Sequence, residues 1–244
     1  MEVMLRRLKT EADKVGLSIN IDKTKSMRIN TNNNTPFNVG IKHVENVTEF
    51  TYLGSILTAN GGADADIVSR IRKAQRAFGQ LKSVWTSRQL SIQTKLRIFN
   101  SNVIPVLLYG CETWRVTKIS INRPQVFINR CLRKILKIFW PDTIRNTDLL
   151  HLTNQQEVGI EILKRKWGWI GHTLRKPDSN IARSALEWNP QGKRKQGRPA
   201  QTWRRSILDE LQQVGSTWKE AKTTAKNRTR WRAFTEALCS VQEI

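Results

Sequence analysis

Asp64 and Asp66, one residue apart, are the nearest this sequence comes to a carboxylate pair that could hold a divalent metal ion. They follow Gly61-Gly62 directly and precede a run of helically spaced apolar residues, where a helix N-terminus favours acidic side chains. A cap accounts for them better than a magnesium site, which needs further carboxylates or substrate phosphates. His43, His151 and His172 stand apart, and Cys111, Cys131 and Cys239 are widely spaced with no CxxC pair. That pattern supports neither a disulfide framework nor a zinc knuckle, and suits cysteines facing a core. No glycine-flanked serine at a nucleophile elbow, HExxH run, Walker loop or adjacent aspartate pair occurs. No catalytic residue, metal ligand or cofactor is assigned to this chain.

Positive charge is what the sequence holds in excess: 42 Lys and Arg against 20 Asp and Glu over 244 residues, for a formal net charge of +22. A surface this one-sided repels itself unless something anionic binds it, and nucleic acid, RNA or DNA, is the partner expected. The excess is uneven, at +2 over residues 1–60, then +7, +6 and +7 over 61–120, 121–180 and 181–244. Arg72 and Arg76 lie one turn apart. Arg130, Arg133, Lys134 and Lys137 fall on a single helical face, opposite Ile128, Cys131, Leu132, Ile135, Leu136 and Phe139. Lys193, Arg194, Lys195 and Arg198 crowd into a Pro- and Gly-bearing loop over 189–199, whose Gly197-Arg198-Pro199 resembles an AT-hook but has Gln196 in place of that motif's other arginine. Such a loop equally suits a nuclear import signal or unspecific phosphate contact. Of nine tryptophans, Trp167, Trp169, Trp203, Trp218 and Trp231 each sit beside Lys or Arg, a setting for base stacking or, more commonly for indoles, for a core. No stretch approaches a membrane span and no apolar signal core follows the charged first ten residues, so an intracellular protein of nucleus or cytoplasm is expected, with no membrane and no small-molecule substrate of its own.

These residues must be positioned by two kinds of element. Val3, Met4, Leu8, Ala12 and Val15 predict a helix over 1–15 that Gly16 stops. Leu17, Ile19, Ile21, Met27 and Ile29 then alternate as in a half-buried strand, but Lys23 and Lys25 share the apolar parity, so the strand breaks at Asp22 or faces a cleft there. Residues 37–41 and 47–53 predict a hairpin. Beyond the Gly61-Gly62 break the period turns helical, with helices expected over 64–85, from Ser91 to Pro105, and over 125–139, 154–174, 201–214, 217–226 and 228–241.

The order of certain segments resembles a known family. Gly16-Leu17-Ser18-Ile19-Asn20 followed by Lys23-Thr24-Lys25, then Phe50-Thr51-Tyr52-Leu53-Gly54-Ser55, resembles the last two palm motifs of reverse transcriptases from non-LTR retrotransposons (LINE elements), closest to the RTE-like group. Tyr109-Gly110-Cys111-Glu112-Thr113-Trp114, Trp169-Ile170-Gly171-His172 and Gly197-Arg198-Pro199 before Trp203-Arg204-Arg205 look like the thumb and C-terminal region of the same proteins.

The resemblance implies an α+β chain, with short β-strands from the end of a polymerase palm followed by a mostly α-helical thumb and C-terminal region. It divides the chain into a palm remnant at 1–60, a helical thumb at 61–140 and a basic, Trp-rich helical domain at 141–244. It implies that Lys23 and Lys25 border an incoming nucleotide, and that Phe50, Tyr52, Leu53 and Gly54 form a primer grip. The palm aspartates that bind magnesium in the intact family are missing from this sequence, so the chain by itself is expected to be inactive. It is then a C-terminal fragment of an RNA-directed DNA polymerase that holds primer and template, or a stand-alone nucleic-acid-binding protein derived from one.

Overall fold

Helix α1 spans Glu2–Lys14 in a computed structural model that describes residues 2–29, 35, 36, 38, 39, 42–188 and 202–241. Gly16, at φ 75°, takes the left-handed turn that closes it, which glycine does without steric cost. Its apolar side, Val3, Met4, Leu8 and Val15, is nonetheless exposed. The chain forms two compact units, Met1–Asp66 and Ile67–Ile244, and the first has too few elements to bury that side.

In the first unit the long strand expected over 17–30 is not formed. The Asn20 side chain accepts the Lys23 N–H at 3.0 Å while Thr24 Oγ1 donates to the Asn20 carbonyl at 2.7 Å, and this local turn outcompetes a ladder. Neither alternative left by the lysine parity is formed, since no strand leads up to Asp22 and residues 21–23 are a turn. What remains is β1 (Lys25–Ser26), followed by β2 (Asn38–Val39), β3 (Lys42–His43), β4 (Glu45–Asn46), β5 (Glu49–Tyr52) and β6 (Ser55–Thr58). They pair as three ribbons: β1 with β4 in parallel, β2 with β3 and β5 with β6 antiparallel. The hairpin expected between 37–41 and 47–53 is thus replaced by two shorter ones. Leu53 and Gly54 explain the second, since their positive φ of 49° and 83° makes the two-residue turn that folds β5 straight onto β6.

Helix α2 (Asp64–Gln80) begins with Asp64 and Asp66 in its first turn, as a helix N-terminus favours. Asp66 does more than cap, for its Oδ1 accepts the Ile56 N–H at 2.9 Å and anchors β6 to that turn. The helix expected to continue to Trp85 breaks at Leu81, after which α3 (Lys82–Thr86) resumes. Trp85 causes the break: its indole N–H takes the Phe78 carbonyl at 2.7 Å and its ring stacks on Phe78 at 4.7 Å. Then come α4 (Ile92–Asn102), capped by Ser91, α5 (Ile104–Leu107), with Pro105 in its first turn, and a 3-10 turn at Cys111–Thr113. Phe99 packs edge-on against Phe78, and Val103, Leu107 and Leu108 are fully buried, so this segment is held by its own apolar residues.

Helix α6 (Lys118–Leu136) starts seven residues earlier than its apolar stripe predicts. Thr117 and Ser120 form a capping box that nucleates the helix upstream, and Pro124 is accommodated inside it at the loss of one helix hydrogen bond. Next are α7 (Asn146–Leu152), α8 (Val158–Leu174), α9 (Ile181–Glu187), α10 (Trp203–Gln213), α11 (Trp218–Ala225) and α12 (Arg228–Ser240). The helix expected from residue 154 starts at Val158, because Asn154 takes a left-handed φ of 50° that ends α7 instead. Short strands followed by helices make the chain an α+β protein, and among the described residues no helix is long and apolar enough to cross a membrane.

One core packs α8, α10, α11 and α12 around Trp167, Ile170, Ile207, Leu211, Trp231 and Leu238. A buried ion pair joins Lys166 to Glu210, and the second Glu210 oxygen accepts the Trp167 indole N–H at 2.8 Å. The Trp231 indole N–H in turn donates to the Trp167 carbonyl at 3.0 Å. Tryptophans are enriched here because each fills volume and carries one donor that the helices supply an acceptor for.

Candidate nucleic-acid interface

Two opposed surfaces on α6 define the clearest cationic face of the second unit. One side buries Phe127, Ile128, Cys131, Leu132 and Ile135, while Arg130 and Lys134 project from the other into solvent. Lys137 follows in the left-handed C-cap conformation, φ 58°, with its N–H bonded back to the Arg133 and Lys134 carbonyls. The chain is thereby turned off the helix axis, and Phe139, expected on the apolar stripe, is instead exposed. Trp140 beside it is 90% exposed. Arg133 differs from its three neighbours: its guanidinium donates to the Ile144 carbonyl at 3.0 Å and to Asn146 Oδ1 at 2.7 Å, pinning the segment that leads into α7.

Arg72 and Arg76 are exposed on α2, opposite buried Ile67, Ala74 and Phe78. Arg70 on the same helix is buried, with its guanidinium 4.3 Å from the centre of the exposed Tyr109 ring, a cation–π contact in which Tyr109 covers it.

In the first unit, Lys23 is exposed in the turn that Asn20 makes. Lys25 pairs with Glu45 across the β1–β4 bridge, so the anionic partner its position calls for is supplied by this chain. The β5–β6 hairpin holds Phe50 half-buried and presents Tyr52 and Leu53 at its tip, Leu53 at 74% exposure, with Gly54 completing the turn. A leucine at positive φ is strained, and an apolar side chain held in solvent at such a position gains nothing from the fold itself. Lys193, Arg194, Lys195 and Arg198 lie outside the described residues.

Among the described residues no three His, Cys, Asp or Glu side chains gather where a metal ion could sit. All three cysteines are free and buried, and burial, with Glu112 adding to it at Cys111, pushes the Cys111 and Cys131 thiols up to about 12. Of the five tryptophans that stand beside cations in sequence, Trp167 and Trp231 are buried and Trp169, Trp203 and Trp218 pack partly against the same core. The exposed indoles are Trp140 and Trp188, and neither was singled out by its sequence neighbours. Lys137 three residues before Trp140 is the signal that marks it, because a cation next to an aromatic that follows a helix end has no apolar stripe to join.

Comparison with known proteins adds an origin. Residues 77–109 match a family model described as "Domain of unknown function (DUF6451)". The chain is similar to an uncharacterized transposon-derived protein of Caenorhabditis elegans, F52C9.6, at 28% identity over 245 residues, covering 94% of this chain and 86% of that one. No solved structure matches. A similarity running almost end to end through both chains supports a transposon-related origin for this protein.

Proposed function

We propose that this chain is the C-terminal part of a non-LTR retrotransposon reverse transcriptase, whose palm end, thumb and C-terminal region hold primer and template RNA and DNA without catalysing synthesis. The observation that carries the reading is the β5–β6 hairpin. Tyr52 and Leu53 are displayed at the tip of a tight two-residue turn, with Leu53 strained and exposed at φ 49°. A side chain kept there against both hydrophobic and backbone preference is suited to a contact outside the fold, and a nucleotide at a primer end is the partner that the resemblance assigns to Phe50, Tyr52, Leu53 and Gly54. The exposed cations Arg72, Arg76, Arg130, Lys134 and Lys137, with Lys193, Arg194, Lys195 and Arg198 of the basic loop, serve the phosphates on this reading. Lys23 and Lys25 border the nucleotide pocket, with Lys25 exchanging Glu45 for a phosphate. Arg133 contributes by positioning the segment that carries Trp140. The exposed apolar side of α1 is a surface that the rest of a palm would cover, and magnesium would belong to that missing part.

Binding to a recessed 3′ primer end, compared with the same strands single, tests the reading. The wild-type chain is expected to prefer the recessed end, and the pair Tyr52→Ala and Leu53→Ala to lose that preference while keeping affinity for single strands. Equal binding of both substrates by wild type would remove the primer-grip role.

A further inference from the structure

A second concentration of charge lies in the C-terminal unit and shares no residue with those named above as an interface. The end of α8, helix α9, helix α11 and the start of α12 border an open cleft of about 660 Å³ lined, among the described residues, by six cations: Arg175, Arg183, Lys219, Lys222, Lys226 and Arg228. Three are fixed by the fold. Arg175 donates to the Ala225 carbonyl at 3.1 Å, Arg183 to the Lys176 carbonyl at 2.5 Å and to Asp178 at 2.6 Å, and Lys222 pairs with Glu187 at 2.8 Å. Among the described residues no carboxylate pairs with Lys219, Lys226 or Arg228. Burial, and then the charge of Arg228 beside it, lower the pKa of the Arg175 guanidinium, so like charges are held together at some cost. The N-terminus of α12 adds its positive end to the same place, with two of its N–H groups already taken by Asn227.

Fixed arginines and unpaired lysines around one concavity make a place built for an anion, and the remaining lining says which. Among the described residues the wall holds one apolar side chain, Leu174, one uncharged polar one, Thr223, and no aromatic ring for a base to stack on, so its chemistry is dominated by cations suited to phosphate. A flat membrane surface does not enter a concavity, whereas a strand backbone does, and guanidinium forks with ammonium point charges suit its phosphates. We propose that this cleft binds the phosphodiester backbone of a nucleic-acid strand, independently of sequence. The proposal rests on the nucleic-acid reading above and adds a site to it.

The test uses the full chain and labelled single-stranded RNA, titrated at several salt concentrations. The triple variant Lys219→Gln, Lys226→Gln, Arg228→Gln removes three exposed cations of the cleft, and Arg7→Gln, Lys9→Gln, Lys42→Gln removes three exposed cations from the other unit. At about 0.7 per lost single-strand contact, the slope of log K against log salt should shrink by about 2 in the cleft variant and stay unchanged in the control. A matching change in both, or none in either, would overturn the cleft while leaving nucleic-acid binding standing. No RNA binding by wild type at low salt would overturn both. Acylation footprinting of the unmodified protein needs no variant to fold: RNA should protect Lys219 and Lys226 but not Lys9 and Lys42, and uniform labelling would contradict the site. Anionic vesicles serve as the competing probe, and loss of vesicle binding in the cleft variant with RNA binding intact would assign the cleft to lipid instead.

Discussion

Replacing Glu210 by alanine strands the Lys166 ammonium inside the Trp167–Trp231 core, and is expected to cost about 3–5 kcal/mol, read as a fall in the urea midpoint. The pair Lys166→Met and Glu210→Gln should recover much of that loss, because the amide oxygen still accepts from the Trp167 indole while no charge stays buried. Gly171 is equally constrained: a Cβ there would meet the Trp231 indole nitrogen at 2.0 Å, and that ring is held by its bond to the Trp167 carbonyl. Gly171→Ala should therefore destabilise by about 1–3 kcal/mol or more, as overpacking of a fixed ring does. The thiols give a pH test. With the Cys111 and Cys131 values raised from 9.0 to about 12, little thiolate exists in the folded protein near pH 8, and stability present below pH 9 is lost as pH climbs toward 12. Alkylation at pH 8 should be slow in buffer and fast in denaturant; fast modification in buffer would show the thiols to be accessible. Residue type alone foretells the buried cysteines and most of the buried indoles, since both follow from size and apolarity. It does not separate Arg133 from Arg130, because the partners of Arg133, Ile144 and Asn146, arrive through a turn that helical periodicity does not describe.

Among the elements, the β5–β6 hairpin sets stability against use. Leu53→Asn places Asn-Gly in a turn whose φ values are both positive, and should raise stability by about 1 kcal/mol by relieving a strained leucine. The same change should weaken binding to a recessed primer end. Greater stability with undiminished primer binding would mean that the leucine is there for another reason. At the other end of the chain, Thr217 caps α11 and exchanges hydrogen bonds with Glu220, whose pKa is lowered chiefly by the backbone N–H of Thr217. Thr217→Ala should cost about 0.5–2 kcal/mol. Helices α4, α10, α11 and α12 can be read almost to the residue from their caps and apolar spacing, as Ser91, Thr202, Thr217 and Asn227 each sit where the first turn begins. The strands are far less readable. Two-residue ladders carry no alternation to detect, and the apolar alternation of 17–29 is overruled by one asparagine side chain.

Over the whole molecule, the +22 charge is carried by faces left over once the core is satisfied. The cores themselves are ordinary: apolar stripes of α2, α4, α6 and α8 are buried and, Arg70, Lys95 and Lys166 apart, the cations of these helices are half-buried or exposed. Lys95 is an interior exception with its own purpose, donating to the Trp85 and Ser87 carbonyls at 3.1 and 2.6 Å to close the end of α3. Primer extension by the pure chain with magnesium or manganese should yield no template-dependent product, because two-metal phosphoryl transfer needs clustered carboxylates and Asp66 is engaged by the Ile56 N–H. Composition alone points to a polyanion. The cleft at α11 and α12 does not show in it, since its six cations come from two separate segments, 175–183 and 219–228, that only folding brings together.

The measurement closest to the central claim is the salt dependence of binding to a primer–template. If the cationic faces neutralise about 6–10 phosphates, log K should fall against log salt with a slope of about −4 to −9 for the wild-type chain. A slope near zero, or no binding at low salt, would contradict the account and leave the charge without its proposed partner.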